Sequence, residues 1–272
     1  MGETRTVSPF SGRVVLVTGA SRGIGRATAL AFASQGAAVA VHYRGNGSGA
    51  VETVGAIEKN GGRALPVRAD LCDLRDNRSL IETVENKLGP IHTLVNNAGH
   101  TLRRSFLEVN PEEFDELIGI NLRGPYFLSQ LAAQRMAARK EGCILFISSI
   151  LARMAIPQRS AYCAAKGALE SLARALAIDL LPYHIRVNTI APGLVQTDML
   201  VDSFENHQEE HQIRQYLPAG RFGNPEEIAQ VATFLASDAA SYINGAVIPV
   251  DSALSILEPG PPLNPLPTDP SS

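Results

Sequence analysis

The sequence predicts an α/β fold: a single domain in which a doubly wound, parallel sheet of seven strands carries helices on both faces. Apolar runs rich in β-branched residues alternate with helical patterns between Val14 and Val250, which is typical of βαβ units. Most of these runs are apolar throughout, so we expect strands buried on both faces. The 272 residues are 45% hydrophobic and 19% charged, as in an ordinary globular protein.

The predicted elements follow one another in order along the chain. The strands comprise residues 13–18, 37–43, 64–69, 91–96, 143–148, 185–190 and 246–250. The first three helical patterns end at glycine or proline, namely Gly36, the pair Gly61 and Gly62, and the pair Gly89 and Pro90. Later helical patterns begin at Glu112, Ser160 and Pro225, and the one from Ser160 ends at Leu181.

Three segments depart from this alternation. Residues 1–11 are predicted to be a flexible N-terminal segment, so the domain spans residues 12–257. Residues 193–222 contain no predicted strand, and so long a connection is typical of a substrate lid. Residues 258–272 are rich in proline, which interrupts helices and sheets, and are predicted to form a flexible tail.

Charge and cysteine content restrict the partners and the location. The formal net charge is -3 and no basic run is present, so we expect neither nucleic acid nor a membrane as partner. Cys72, Cys143 and Cys163 lack the spacing of a disulfide framework or a metal site, which favours a cytoplasmic location. His207 and His211 lack the adjacent glutamate of a zinc motif, so no metal is expected.

Gly19, Gly23 and Gly25 lie between the first predicted strand and a helix that continues through Ala33. Glycine permits positive φ angles and lets a phosphate approach the main chain, where the helix N-terminus offers N–H groups. The cluster therefore predicts a dinucleotide cradle. Taken alone, the three glycines also fit a turn that only packs the helix on the strand.

Tyr162 and Lys166 are four residues apart in a helical pattern, so both side chains lie on one face. A cation about 4 Å from a phenol contributes on the order of 4 kcal/mol at an effective dielectric constant of about 20, enough to lower the tyrosine pKa by about 3. Tyr162 is therefore predicted to exchange protons near neutral pH. Ser149 follows the fifth strand and can donate to a carbonyl oxygen, whereas strand alternation points Ser148 to the opposite face.

These motifs occur in a fixed order along the chain. They are Thr18-Gly19-Ala20-Ser21-Arg22-Gly23-Ile24-Gly25, Asp70-Leu71, Asn96-Asn97-Ala98-Gly99, Asn121, Ser149, Tyr162-Cys163-Ala164-Ala165-Lys166 and Pro192-Gly193. From Gly12 to about Ser252 the sequence thereby resembles the short-chain dehydrogenase/reductase family, which includes 3-oxoacyl carrier-protein reductases and sugar and alcohol dehydrogenases. The resemblance implies a Rossmann-type fold and hydride transfer between a nicotinamide and a carbonyl or secondary alcohol. The alternative is a catalytically idle dinucleotide-binding sensor or scaffold.

The resemblance also implies roles for single residues. Tyr162 is the general acid/base, Lys166 and Ser149 assist it, and the main chain of Asn121 holds a water in a proton relay; the alternative for Asn121 is a solvent-facing helix residue. The implied cofactor-binding residues are Gly19, Ser21, Arg22, Gly23, Ile24, Gly25, Tyr43, Arg44, Asp70, Leu71, Asn97, Ala98, Gly99, Tyr162, Lys166, Pro192, Gly193 and Thr197. Asp70 is implied to bind the adenine amino group, and its alternative role is in a turn.

The second predicted strand ends without the acidic residue that binds the ribose 2'-hydroxyl of NAD(H). It runs instead into His42-Tyr43-Arg44, and Arg22 precedes Gly23. Two guanidinium groups can flank a 2'-phosphate, so NADP(H) is predicted over NAD(H). The alternative is that both arginines are exposed surface charges.

The predicted substrate site comprises His100, Arg103, Ile150, Gln158, Leu194 and Met199, and Arg104, Arg153 and Leu200 are expected to border it. The three arginines favour an anionic small molecule, such as a sugar acid or an acyl group on a phosphopantetheine carrier. The helix from Ser160 is rich in Ala and Leu on more than one face, so we expect a second side of it to be buried against another subunit. The resemblance implies a homotetramer, with the helix from Pro225 and the last strand at another interface. Ser252-Ala253 follow Asp251 where the family usually has two glycines, a departure at an expected subunit contact.

Overall fold

The computed structural model describes residues 8–201 and 207–257, and the side chains of these except at 207–209. Most of the predicted N-terminal segment and the whole proline-rich tail lie outside the described residues, as does the middle of the predicted lid. Among the described residues no helix is long and apolar enough to cross a membrane.

Seven strands form one sheet, and every neighbouring pair is parallel. They are β1 (Val14–Val17), β2 (Ala38–Tyr43), β3 (Arg63–Arg68), β4 (Ile91–Asn96), β5 (Gly142–Ile147), β6 (Ile185–Pro192) and β7 (Val247–Val250). Their order across the sheet is β3-β2-β1-β4-β5-β6-β7. The prediction of a doubly wound parallel sheet in a single domain is confirmed, and the strand ends differ from the predicted ones by two residues at most.

Helices cover both faces of this sheet. They are α1 (Gly23–Ser34), α2 (Gly47–Lys59), α3 (Leu74–Leu88), α4 (Pro111–Ile118), α5 (Gly124–Arg139), α6 (Ser160–Asp179), α7 (Asp198–Val201), α8 (His207–Tyr216) and α9 (Pro225–Ala236). Val15 and Val17 point to one face and belong to the hydrophobic core that also holds Phe32 of α1. Val14 and Leu16 point to the other face and share its core with helices α3, α5 and α6. The period of two along each strand thus creates two cores from one sheet.

The helical stretch predicted from Glu112 is not one regular helix. Residues Gly119–Arg123 form a π-helix between α4 and α5. This wider turn accommodates an extra residue, and such turns are frequent at functional sites. It contains Asn121.

The strand order reverses at β1, which has β2 on one side and β4 on the other. In open parallel sheets a crevice forms at this point, beyond the carboxyl ends of the strands. The loops after β1, β2, β4, β5 and β6 all meet there and line one cavity.

Candidate active site

The cavity at the carboxyl ends of the strands has a volume of about 880 Å³. This lies within the range of pockets that hold small ligands and cofactors, roughly 300–1,000 Å³. Its walls carry the glycine loop between β1 and α1 at one end and Tyr162 of α6 towards the other. One cavity therefore brings together the predicted cradle and the predicted acid/base.

The glycine loop has the geometry that a bound phosphate requires. Gly19 and Gly23 adopt φ angles of +64° and +53°, in the left-handed region that favours glycine. A Cβ at Gly25 would overlap the carbonyl oxygen of Gly19, so this position holds only glycine without a shift of the chain. No side chain caps the N-terminus of α1, and its first turn has no acidic residue. The N–H groups at this helix end therefore suit an anionic group, such as a pyrophosphate.

Thr18 and Asn97 tie the two strands at the crevice together. The Thr18 hydroxyl accepts hydrogen bonds from the main-chain N–H groups of Asn97 and Ala98, both at 2.9 Å. The side-chain amide of Asn97 donates to the carbonyl oxygens of Thr18 at 2.9 Å and Gly19 at 3.2 Å. These bonds fix the shape of the cavity floor between β1 and β4.

His42 of β2 contacts the glycine loop, and the sequence analysis gave it no role. Its ring Nδ1 accepts a hydrogen bond from the Gly19 N–H at 3.1 Å, and its Nε2 is 3.1 Å from the carbonyl oxygen of Ala69. Burial lowers the pKa of His42 to about 4, so the ring is neutral at physiological pH. The only signal in the sequence was a polar residue inside an otherwise apolar strand.

Tyr162 and Ser149 form the reactive end of the cavity. Both side chains line the cavity, and the Ser149 hydroxyl is near enough to the phenol to affect its pKa. Ser149 also caps the short helical turn of residues Ile150–Ala152, because its hydroxyl accepts from the Leu151 N–H at 3.1 Å. Ser148 points away, and its hydroxyl lies 3.3 Å from the Lys166 carbonyl oxygen. Strand alternation therefore distinguished the two serines correctly.

The pKa values at this end differ from the expectation. Burial raises the pKa of Tyr162 to about 12, and this outweighs the lowering by the Ser149 hydrogen bond and by the positive charge of Arg159. Burial also lowers the pKa of Lys166 to about 8. The Lys166 ammonium donates to the Ile147 carbonyl oxygen at 2.8 Å and lies 5.6 Å from the centre of the Tyr162 ring. The expectation that Lys166 makes the phenol unusually acidic is thus wrong for the protein alone, because desolvation is the larger effect.

Asn121 is buried beside Lys166. Its side-chain amide donates to the carbonyl oxygens of His100 at 2.9 Å and Leu117 at 3.1 Å, while Oδ1 has no hydrogen-bond partner among the described residues. A Cβ at Gly99 would overlap this Oδ1 and lie 3.8 Å from the Lys166 ammonium. Asn121 and Lys166 therefore flank Gly99, and a solvent-facing role for Asn121 is wrong.

The cavity gathers nearly all predicted cofactor residues. Those lining it are Gly19, Ser21, Arg22, Gly23, Ile24, Gly25, Tyr43, Arg44, Leu71, Asn97, Ala98, Gly99, Tyr162, Lys166, Pro192, Gly193 and Thr197. Asp70 is absent from the lining; its carboxylate accepts from the Cys72 N–H at 3.0 Å. This contact matches the turn role that was its alternative. Arg22 lies 3.5 Å from Asp198 of α7, with both side chains more than half exposed.

The predicted substrate residues divide into two groups. His100, Arg103, Gln158, Leu194, Met199 and Leu200 line the cavity. Ile150 does not line it and is buried in the core. Arg104 and Arg153 are also absent from the lining, because they form ion pairs with Glu113 at 2.6 Å and Glu170 at 3.0 Å.

Arg159 lines the same region and had no role in the sequence analysis. It is 9% exposed, and its Nη1 donates to the Thr101 hydroxyl at 2.8 Å. Its neighbour Gln158 has a left-handed φ of +64°, which is unusual without glycine. The Arg103 side chain donates to the Gln158 side chain at 3.1 Å, and the Arg104 N–H donates to the Gln158 carbonyl oxygen at 3.0 Å. Backbone strain held by such contacts is typical of a functional site.

The residues present fit a nicotinamide dinucleotide. The glycine loop leaves room for a pyrophosphate at the main chain, and the buried phenol and ammonium lie in the same cavity. Among the residues that the structure describes, no group of three or more His, Cys, Asp or Glu side chains could hold a metal ion.

Known proteins are similar to this chain over most of their length. A family model described as enoyl-(acyl carrier protein) reductase matches residues 19–255. An L-rhamnose 1-dehydrogenase (NAD(P)(+)) from Azotobacter vinelandii is 38% identical over 248 residues, which cover 90% of this chain and 97% of that protein. A 3-oxoacyl-[acyl-carrier-protein] reductase from Synechocystis sp. is 37% identical, with coverage of 91% and 99%.

A solved structure gives the same result. It comes from Beutenbergia cavernae, is provisionally described as an NAD(P)-dependent gluconate 5-dehydrogenase, and holds NADP at low occupancy. It superposes with a TM-score of 0.84 at 37% identity, and the match covers 90% of this chain and 98% of that chain. The matching family model and these similarities show that the chain is an oxidoreductase that belongs to the short-chain dehydrogenase/reductase family.

Proposed function

We propose that this protein is an NADP(H)-dependent oxidoreductase that transfers a hydride between the nicotinamide and a carbonyl or secondary alcohol. The observation that carries the proposal is the placement of Tyr162, Ser149 and buried Lys166 in the cavity that also contains the glycine loop. The nicotinamide supplies or accepts the hydride when bound. Asn121, Ser149, Tyr162 and Lys166 act on the proton and on the oxygen of the substrate.

The pKa of Tyr162 favours the reductive direction at neutral pH. With a pKa of about 12 the phenol is protonated, so it can donate a proton to a carbonyl oxygen as negative charge develops there. Ser149 donates a hydrogen bond to the same oxygen. Lys166 binds the nicotinamide ribose, and Asn121 connects Lys166 to a proton relay through a water.

NADP(H) is proposed over NAD(H) because Arg22 and Arg44 both line the cavity and no acidic residue follows β2 there. Two guanidinium groups bind a 2'-phosphate strongly. The NADP in the Beutenbergia cavernae structure supports this choice, whereas the name of the Azotobacter vinelandii relative includes both cofactors. Arg44→Asp tests it: kcat/KM should fall for NADPH and rise for NADH, and a wild-type preference for NADH would refute the proposal.

We also propose an anionic substrate. Arg103 lines the cavity as predicted, and Arg159 replaces Arg104 and Arg153 as the second basic group there. Gluconate, in the name of the Beutenbergia cavernae protein, is a carboxylate and agrees with this class, whereas L-rhamnose, in the name of the Azotobacter vinelandii relative, is a neutral sugar. A substrate screen should show higher kcat/KM for carboxylate or phosphate-bearing carbonyl compounds than for neutral ones of equal size.

Four further proposals concern the whole chain. Residues 12–257 form the catalytic domain, and residues 193–222 act as its lid, since Leu194, Thr197 and Met199 line the cavity. The protein assembles as a homotetramer. A cytoplasmic location agrees with three cysteines that are all free thiols.

Tyr162→Phe tests the proposed reaction and separates it from the idle-binder alternative. The change removes one hydroxyl and keeps the ring, so NADPH should bind within about 3-fold of the wild-type Kd while kcat falls by about 1,000-fold or more. Turnover is followed by the absorbance of the reduced nicotinamide, and binding by fluorescence titration. Tyr183→Phe is the matched control, because Tyr183 is exposed and does not line the cavity. Unchanged turnover in Tyr162→Phe would exclude Tyr162 as the acid.

A further inference from the structure

We infer that His42 is a positioning residue of the cofactor site: its neutral ring holds the Gly19 N–H and thereby fixes the first turn of the glycine loop for the dinucleotide. The inference rests on the proposed function, because it assigns a role within the same cavity. His42 lies at the second-last position of β2, and Gly19 is the second residue after β1. The contact therefore joins two strand ends at the crevice.

The two ring contacts determine which nitrogen carries the hydrogen. The Ala69 carbonyl oxygen only accepts, so Nε2 donates to it across 3.1 Å. Nδ1 then has a free lone pair, and it accepts the hydrogen bond from Gly19 at 3.1 Å. The ring thus bridges the end of β3 and the glycine loop, and it does so only in the neutral form with hydrogen on Nε2.

The main chain of His42 forms a second hydrogen bond to the same turn. The N–H of Ala20 donates to the His42 carbonyl oxygen at 2.9 Å. Two successive N–H groups of the loop, at Gly19 and Ala20, are therefore bound by one residue. The loop from Ser21 to Gly25 continues from this anchor along the cavity wall.

Burial makes the ring contact decisive for the geometry. His42 is 1% exposed, so its ring is fixed by its surroundings, and loss of its hydrogen bond to the Gly19 N–H costs free energy. Gly19 itself adopts a left-handed φ, and a Cβ there would lie 3.0 Å from the Ala98 Cα. The turn is therefore enclosed by Ala98 on one side and fixed by His42 on the other.

Two amide variants separate the two ring contacts. His42→Asn places an oxygen near the position of Nδ1 and keeps an acceptor for Gly19. His42→Gln places its amide nitrogen near the position of Nε2 and keeps the donor to Ala69, but it lacks the acceptor for Gly19. A merely structural need for a polar side chain at this site predicts equal behaviour of the two variants.

The experiment measures NADPH binding by fluorescence titration in the Tyr162→Phe background, with NADH in parallel and thermal unfolding to verify the fold. The Kd of His42→Asn for NADPH should lie within about 3-fold of that of its parent. The Kd of His42→Gln should be higher by about 10-fold or more, because this variant leaves the Gly19 N–H without an acceptor. In the active protein, His42→Gln should raise KM for the cofactor and keep kcat at saturation.

The outcomes are distinguishable. Equal binding of both folded variants, or weaker binding by His42→Asn than by His42→Gln, overturns the inference and leaves the proposed function intact. If the parent binds neither NADPH nor NADH, the proposed function fails and the role of His42 falls with it. If His42→Gln lowers kcat at saturating cofactor with an unchanged KM, the residue does not act through the cradle and the inference is also overturned.

Discussion

Three ionisable side chains line the cavity, with His42 and Lys166 buried and Tyr162 partly buried, and the loss of contact with water shifts the pKa of each. It raises the pKa of Tyr162 to about 12, lowers that of Lys166 to about 8 and lowers that of His42 to about 4. At neutral pH the phenol and the imidazole are therefore neutral, while Lys166 keeps its charge. The site thus offers a proton on Tyr162, and it does so without an acidic phenol.

A spectroscopic titration tests the charge of Tyr162. In the protein without cofactor, the difference between wild type and Tyr162→Phe should show phenolate absorbance only above about pH 10, because burial disfavours the charged form. The other tyrosines cancel in this difference. A phenolate signal from Tyr162 at neutral pH would restore the simpler model in which Lys166 dominates.

His42 should make the protein sensitive to acid. Its folded pKa of about 4 lies below its ordinary value of 6.5, so the unfolded chain takes up the proton first as the pH falls. The contribution of the neutral His42 ring to the free energy of unfolding is fully present above about pH 6.5. It is lost as the pH falls through about 4, and the total loss is about 3 kcal/mol. Urea unfolding over this range should show a smaller loss for His42→Asn than for wild type. Parallel pH curves for the two proteins would contradict the assignment of a neutral buried ring.

At the scale of elements, the turn after β7 departs from the family pattern. Ser252 and Ala253 adopt φ angles of +50° and +69°, where the family usually has glycine. A left-handed non-glycine residue is destabilised by roughly 1–2 kcal/mol. Asp251 compensates in part, because its carboxylate accepts from the N–H groups of Ala253 at 3.1 Å and Ser255 at 2.8 Å.

Ala253→Gly should therefore stabilise the protein. Relief of the left-handed conformation exceeds the entropy that glycine adds to the unfolded chain, so the free energy of unfolding should rise by about 0.5–1 kcal/mol. Urea denaturation measures it. Ala239→Gly is the matched control: Ala239 is exposed and has no left-handed φ, and its replacement should destabilise. A destabilised Ala253→Gly would mean that the turn is held by contacts of the Ala253 methyl group.

Elements with a clear pattern of apolar residues were predictable from the sequence, whereas the π-helix was not. Apolar runs such as VVLV at Val14–Val17 identify buried strands because both faces of a parallel sheet are covered. The stretch around Asn121 has an apolar pattern that also fits an α-helix. Its wider turn arises from tertiary contacts, since the Asn121 side chain bonds to the carbonyl oxygen of His100 in another loop.

At the scale of the whole molecule, some of the exposed apolar side chains lie on two sets of elements, α4 to α6 and α9 with the segment before β7. Phe114, Tyr126 and Ile178 are exposed on α4, α5 and α6. Phe234 is exposed on α9, and Tyr242 precedes β7 with its side chain fully exposed. Apolar surface of this kind marks contact sites, and of these elements α6 and α9 are helices for which subunit contacts were predicted.

Light scattering should therefore give four times the chain mass of 29.0 kDa. Tyr242→Glu should reduce the mass to that of a dimer, because a charge at one of the two interfaces disfavours its burial. Val51→Glu is the control, since Val51 is exposed on α2, outside both sets. A monomer in wild type would contradict the proposed assembly.

Contacts between residues that are far apart in the sequence could not be predicted, and this limited the prediction of the site. Gly19, Tyr162 and Lys166 carry local patterns, so their positions were predictable. Arg104 and Arg153 were assigned to the substrate because nothing in the sequence joins them to Glu113 and Glu170, their partners in the structure. His42 and Arg159 were missed for the same reason: their contacts come from other strands and loops.

The π-helix at Gly119–Arg123 interrupts the regular helix at the position of Asn121. Deleting one residue there would let α4 and α5 merge into one continuous α-helix with an uninterrupted backbone ladder. The same deletion would turn one flank of the helix by about 100° relative to the other, so Asn121 and the α4–α6 contacts could not both keep their places. A shorter chain would gain a more regular helix and lose the position of Asn121 beside Lys166, and the extra residue therefore keeps the proposed catalytic residues together.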